Sequence, residues 1–347
     1  MAHSENFSMK EEEFSLIWED VKPLIIRNDL SFANIESPVI DTMEWKAYPL
    51  FNMHSSYVQE AVNSGFNVFS IVNNHINDQG LEGIYETRKL FQLLKDQSAE
   101  SARPVYFSGI KKSREDQFNY TVIEKNGFKI LFLAVTELLN QNSYKSYLNF
   151  VNPDEKSFEI LGKFIKDKKT ETNSNLFILS LHTSEEEYVS KVSDKRKKMY
   201  RTLLNSGCDI LWANHPHVIR EYELFGNKQT GNLNKIIFYG NGNTISGQRR
   251  SPVYTNPENP RDYTGDGLLF EVKLVKKYNK EQTEITIENY KSHFITTYID
   301  SKRRFLLRNL DAKFIQSLKD KGKTKEEYYF TRRKEISENT KETIIWE

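Results

Sequence analysis

The stretch "CDILWANHPHVIREY", residues 208–222, decides how the chain is read. Ile210, Leu211 and Trp212 read as a buried strand, and the chain turns polar at Asn214. His215 and His217 follow at once, separated by a proline. A strand that ends in His-x-His presents either a metal site or a polar loop. The other histidines bear on that choice. His75 follows the apolar run "VFSIVNN", and His182 follows "LFILSL". Thus four of the seven histidines stand just past buried strands. Strand ends of one sheet lie near one another, so these four imidazoles are expected to converge. Pro216 favours an extended backbone at the residue before it. An extended segment would point His215 and His217 to the same side.

On either side of that stretch, strands and helices alternate. Residues 10–29 place Phe14, Ile17, Trp18, Val21, Leu24 and Ile25 at helical spacing, with Pro23 either kinking that helix or starting a second segment. "LSFANIESP" is a short strand ending at Asn34 or Glu36, and "NVFSIVNNH" is a second. Amphipathic helices are expected over "HSSYVQEAVNSGF", "GLEGIYETRKLFQLLKDQ", "EKSFEILGKFIKDKK" and "KRKKMYRTLLNSG". "PVYFSGI" is strand-like, and "FNYTVIEKNGFKILFLAV" reads as a hairpin turning at Asn126-Gly127. "NLFILSLH" and "NKIIFYGNGN" are further strands, and "GLLFEVKLV", "TEITIENYKSH" and "FITTYI" look antiparallel. A helix, "LDAKFIQSLKDK", and a polar tail close the chain. This order specifies a layered α/β domain over residues 1–300 and a charged helical extension over 301–347. In such folds ligands collect at the carboxyl ends of strands.

Composition bounds the partners. The net charge is +1, from 49 basic against 48 acidic residues, so nothing argues for a nucleic-acid partner. Aromatic residues reach 13%, enough for Phe and Tyr to supply much of a large core. The lone Cys208 precludes an intramolecular disulfide and fits a reducing compartment. The N-terminus lacks the pattern of a secretory signal, and no run approaches the roughly 18 apolar residues of a membrane span. As given, the chain reads as soluble and cytoplasmic. Association with the cell envelope stays open if an N-terminal segment is missing.

Oxygen ligands stand where the histidines do. Asn34 and Glu36 end one strand, and Asn73 and Asn74 end the next. Imidazole with carboxylate and amide oxygens suits a divalent manganese, iron or zinc ion. The absence of clustered cysteines argues against a structural zinc site. "YGNGN", residues 239–243, supplies either an ordinary turn or a close backbone approach to a bound group.

The segments "NIESP", "SIVNNHINDQGLEGIYET", "LSLHTSEEEY", "ANHPHV" and "FYGNGN", in that order, resemble the bacterial capsule synthesis proteins of the CapA, or poly-γ-glutamate synthesis, family. The resemblance covers about residues 12–250 and implies a calcineurin-like metallophosphoesterase fold, a four-layer α/β/β/α sandwich. It implies one or two divalent ions. Glu36 would be the bridging carboxylate, Asn74 an amide ligand, His182 and His215 ligands of one ion and His217 of the other. His75 would be the acid near the leaving group, oriented by Asp78. Asn34, Asn73, Glu187, Tyr188, Asn214, Asn241 and Asn243 would line or support the pocket. Three departures stand out. The family's first strand, ending in Gly-Asp, has no counterpart, so either the sequence is truncated or the first metal site is degraded. His-Thr-Ser-Glu-Glu-Glu-Tyr (182–188) replaces the usual His-Trp-Gly before Glu-Tyr, and Ala213-Asn214 replaces Gly-His.

The resemblance implies metal-assisted hydrolysis of a phosphoester, with a small-molecule phosphoester or an anionic polymer as substrate. Two other readings stand beside it. One is a non-catalytic capsule-assembly component that binds an anionic polymer, and the other a metal-dependent hydrolase of γ-glutamyl amide bonds.

Overall fold

The computed structural model describes residues 6, 9–278 and 283–347. Residues 1–5, at the head of the domain expected over 1–300, lie outside the described residues. The large sheet orders its seven strands β13-β8-β9-β7-β6-β5-β4. These are β4 (Tyr120–Lys125), β5 (Phe128–Thr136), β6 (Leu176–His182), β7 (Ile210–Asn214), β8 (Tyr222–Asn227), β9 (Asn232–Phe238) and β13 (Glu342–Trp346). Strands β5, β6, β7 and β9 run parallel. Facing this sheet are two three-stranded sheets. One is parallel, of β1 (Phe32–Asn34), β2 (Val68–Ser70) and β3 (Tyr106–Ser108). The other is antiparallel, of β10 (Asp266–Tyr278), β11 (Thr283–Ile299) and β12 (Phe305–Asn309).

The period-2 alternation of β5 shows how the layers arise. Leu131, Leu133 and Val135 pack with Leu161 and Ile165 of α5 (Glu155–Glu171) and Leu203 of α6 (Asp194–Asn205). Ile130, Phe132 and Ala134 face the other way, into a core shared with Val68 and Phe69 of β2. That core extends to Val58 of α3 (Ser55–Asn63) and Phe91 of α4 (Gly80–Ser98). The result is a metallophosphatase-like α/β sandwich, with a large mixed sheet covered by helices on one side and by the smaller sheets and their helices on the other.

The parallel register sets Thr136, His182 and Asn214 side by side, as it does Asn34, Ser70 and Ser108. One edge of the sandwich therefore gathers the carboxyl ends of both layers.

Several local expectations are corrected. The helix over 10–29 is broken into a 3-10 turn, α1 (Ser15–Trp18) and α2 (Lys22–Ile26), with Pro23 in the first turn of α2. "TEITIENYKSH" and "FITTYI" form one strand, β11, rather than two. The segment read as a polar tail forms α8 (Thr324–Glu338), which follows α7 (Ala312–Asp320), and β13, which pairs parallel to β8. The tail looked polar because Arg333 of α8 is buried through ion pairing with Asp266 rather than through apolar periodicity. The hairpin at Asn126-Gly127 forms as expected, with φ of 49° and 76°.

Candidate metal centre

Each ligand candidate sits where a strand gives way to a loop. His182 is the last residue of β6 and fully buried. Beyond β7 the backbone is not extended, contrary to expectation. His215 has φ 99° and His217 φ 58°, both in the left-handed region that few residues other than glycine adopt. The resulting turn, rather than an extended strand, brings the two rings to a centroid separation of 5.8 Å, with His182 and His215 at 5.0 Å. Strain of this kind persists where the surroundings over-determine it, commonly at functional sites.

Glu36 lies 7% exposed at the end of the β1 loop. Its Oε1 stands 3.5 Å from His217 Nε2 and 3.9 Å from His182 Nε2. Glu187 Oε1 stands 3.9 Å from the Nε2 atoms of both His215 and His217. Two overlapping groups follow, Glu36–His182–His215 and Glu187–His215–His217, each with donor atoms close enough to share one ion. Burial pushes the His182 imidazole well below its ordinary pKa, helped by the charges of His215, His217 and His75. Burial likewise lowers His215, to about 3, with His217 next in effect. Both rings therefore stay neutral near pH 7, with nitrogen lone pairs free to bind a cation.

The supporting hydrogen bonds fix the ring orientations. Asn243 donates its amide to Thr264 O and Gln248 Oε1, both at 2.9 Å, so its Oδ1 must be the acceptor. His217 Nδ1–H donates to that oxygen at 2.9 Å, which turns Nε2 toward the two carboxylates. Asn74 donates to Asn140 Oδ1 (3.1 Å) and presents its own Oδ1 2.8 Å from His182 Nε2. His75 Nδ1 lies 2.7 Å from Asp78 Oδ2 and 3.1 Å from Asn140 Nδ2. The shorter contact, to a carboxylate, identifies Nδ1 as the protonated nitrogen. Asp78 also accepts from Phe51 N, which anchors it.

The remaining expected residues divide. Asn34 donates to Glu36 (3.4 Å), while its Oδ1 is buried without a partner, as is Asn241 Oδ1. Tyr188 stacks on His217. Its phenol is raised by burial and then by the neighbouring Glu187 carboxylate. Asn73 instead clamps two loops, donating to Ile35 O and accepting from His75 N. Asn214 donates to Ser180 Oγ, one strand away. Sequence reasoning missed Asn140, which stands past the end of β5 as His75 stands past β2. It also missed Arg220, whose guanidinium is paired with Glu185 and donates to Val189 O and Glu186 O. Arg220 thereby holds the loop that carries Glu187 and Tyr188.

Do these residues fit a metal? Glu36 Oε1, His182 Nδ1 and His215 Nδ1 are buried without a hydrogen-bond partner. A buried carboxylate oxygen with no hydrogen-bond donor is costly unless a cation pairs with it. The donor set is that of a first-row divalent site, so the residues fit.

Fold and site together define a metallophosphatase-like α/β protein with a histidine–carboxylate cleft. The family described as bacterial capsule synthesis protein PGA_cap matches residues 1–248, and the chain belongs to that family. It is 26% identical over 245 residues to a Bacillus anthracis protein named capsule biosynthesis protein CapA, covering 67% of this chain and 54% of that one. It is 24% identical over 237 residues to the PGA biosynthesis protein CapA of Bacillus subtilis (strain 168), covering 67% and 57%. The chain thus spans about half the length of these curated relatives. It is also similar to a crystal structure of a hypothetical protein from Thermus thermophilus, at 14% identity and a TM-score of 0.41, covering 81% of this chain and 94% of that one. No helix among the described residues is long and apolar enough to cross a membrane.

Proposed function

We propose that the cleft is a metal-dependent phosphoester hydrolase site serving capsule or poly-γ-glutamate biosynthesis. The observation that carries this reading is the unpartnered Glu36 Oε1 between His182 and His217. Glu36, His182 and His215, with Asn74 beside them, would hold one ion. Glu187 and His217, with Glu36 Oε1 beside them, would hold a second. A divalent ion there supplies Lewis-acid activation of water near neutral pH and offsets charge on phosphoryl oxygens.

The chain's own groups do the rest. Asp78 keeps the His75 proton on Nδ1, so Nε2 is the atom that can carry and release a second proton to a leaving oxygen. Asn243 and Asn140 hold the His217 ring and the Asn74 amide in register. Arg220 fixes the loop that presents Glu187.

The test is metal analysis of the purified protein, followed by Mn²⁺-dependent assays on p-nitrophenyl phosphate and bis-p-nitrophenyl phosphate. Bound metal with turnover of either ester supports the hydrolase. Bound metal with no ester turnover, but release of glutamate from a γ-glutamyl peptide, would replace the phosphoester by an amide. No metal and no turnover would leave a polymer-binding protein.

A further inference from the structure

The rim of the metal centre carries a guanidinium with no counter-charge. Arg261 Cζ lies over the Tyr188 ring, 5.2 Å from its centroid, and Tyr188 itself stacks on His217 at 6.1 Å. One phenol ring thus touches both a ligand candidate and a cation. The guanidiniums that hold the loop bearing Glu187 are already paired, Arg220 with Glu185 and Arg196 with Glu137. Arg261 is exposed, and among the described residues its side chain makes one hydrogen bond, from Nε to Gln248 O at 3.1 Å. Its Nη1 and Nη2 groups face no carboxylate within ion-pair distance among those residues.

The side chain is exposed, yet its base is fixed. Arg261 sits in the 3-10 turn Pro260–Gly265, where Asn259 Oδ1 accepts from Arg261 N at 3.0 Å. Asp262, next in the chain, is buried and accepts from Val253 N and Tyr329 Oη. Thr264 Oγ1 donates to Arg261 O at 2.7 Å, and Thr264 O accepts from Asn243, the residue that orients His217. Gln248 closes the ring. Its Oε1 accepts from Asn243, its Nε2 donates to Tyr188 Oη at 3.3 Å, and its carbonyl accepts from Arg261. One hydrogen-bonded frame therefore sets the guanidinium relative to His217. A long side chain held by its Nε and by an aromatic face has less rotamer freedom to lose on binding. The free Nη edge is a planar donor pair that matches a carboxylate or a phosphate.

We propose that Arg261 binds a second anionic group of the substrate, so that the cleft selects phosphoesters that carry a carboxylate or a further phosphate beyond the scissile one. The scissile phosphoryl group belongs at the histidine–carboxylate centre, and the second charge belongs at the rim, past the Tyr188 ring. The proposal rests on the hydrolase reading of the cleft and adds the class of substrate. Arg261 is then a specificity residue and not a catalytic one, and its contribution lies in affinity. Because the guanidinium is exposed, that contribution should shrink as salt is raised.

The test is titration calorimetry of the Mn²⁺-loaded protein with three non-hydrolysable ligands of one chain length: hexylphosphonate, 6-phosphonohexanoate and hexane-1,6-diphosphonate. The parent should bind one or both of the doubly charged ligands about tenfold more tightly than hexylphosphonate. In Arg261→Gln that ratio should fall to about one, and in Arg261→Lys, which keeps the charge but not the planar fork, to an intermediate value. A ratio between ligands cancels any general loss of affinity in a variant. Which ligand shows the preference separates carboxylate from phosphate. Equal affinities in the parent, or a parental ratio retained in Arg261→Gln, would overturn the proposal and leave the hydrolase reading standing. No binding of hexylphosphonate, together with no ester turnover, would sink that reading and this proposal with it.

Discussion

Two buried carboxylates, one at the start of β10 and one past the end of β1, have opposite surroundings. Asp266 is 1% exposed and fully engaged. It accepts from Arg249 Nη1 at 2.8 Å, from Arg333 Nε at 2.7 Å and from Thr296 Oγ1 at 2.7 Å. Glu36 is 7% exposed, and its Oε1 has no hydrogen-bond donor. The first joins the C-terminal helix α8 to the sandwich. The second faces the His182 imidazole, which burial keeps neutral. Burial of charge alone does not mark a site; burial of charge that the chain leaves uncompensated does.

Substitution separates the two most sharply. Asp266→Asn leaves two buried guanidiniums short of a counter-charge and should cost about 3–5 kcal/mol of stability, read as a lower midpoint in urea. Glu36→Gln should leave the metal-free midpoint unchanged or raise it, because it removes a buried unpaired charge. The same change should weaken Mn²⁺ binding by at least about a hundredfold, since a ligand matters more than its supporting groups. If Glu36→Gln destabilised the metal-free protein as much as Asp266→Asn, Glu36 would be a structural carboxylate and the contrast would collapse.

His75 sharpens the comparison from the catalytic side. Its partner Asp78 is a third buried carboxylate, engaged by His75 and by Phe51 N. His75→Gln should lower turnover of a phosphoester by about 10²–10⁴-fold while Mn²⁺ content stays near that of the parent. Loss of metal in that variant would make His75 a ligand. Unchanged turnover would remove it from proton transfer.

The legible parts of the molecule were those written in apolar runs. "LFILSLH" and "DILWAN" announce β6 and β7 because both faces of a central parallel strand are covered. The polar residues past those runs then had to lie along one edge, which is why four histidines could be placed together. Three features were not legible. The turn at His215 and His217 depends on positive φ at residues that seldom adopt it, and Pro216 only excludes the helical region for its predecessor. The strand β13, "ETIIW", lies in a charged context and is defined by pairing with β8, more than 100 residues away in sequence. The helix α8 buries Arg333 and Tyr329 through Asp266 and Asp262, so its inner face reads as surface.

The smallest of these effects tests how far outward the site extends. Asn243 accepts the hydrogen bond from His217 Nδ1–H. Asn243→Ala removes that acceptor and frees the ring to rotate or change tautomer, which should weaken Mn²⁺ binding by about 10–100-fold. Asn243→Asp retains an oxygen facing Nδ1 while losing the amide donors to Thr264 O and Gln248 Oε1. If orientation of the ring is what matters, the Asp variant should bind Mn²⁺ close to the parent while the Ala variant does not, as titration calorimetry would show. Equal weakening of both would mean that the amide mainly braces its own loop. Uncompensated charge at Glu36 would then be the whole of what the centre needs, with the geometry of His217 set by the strained turn alone.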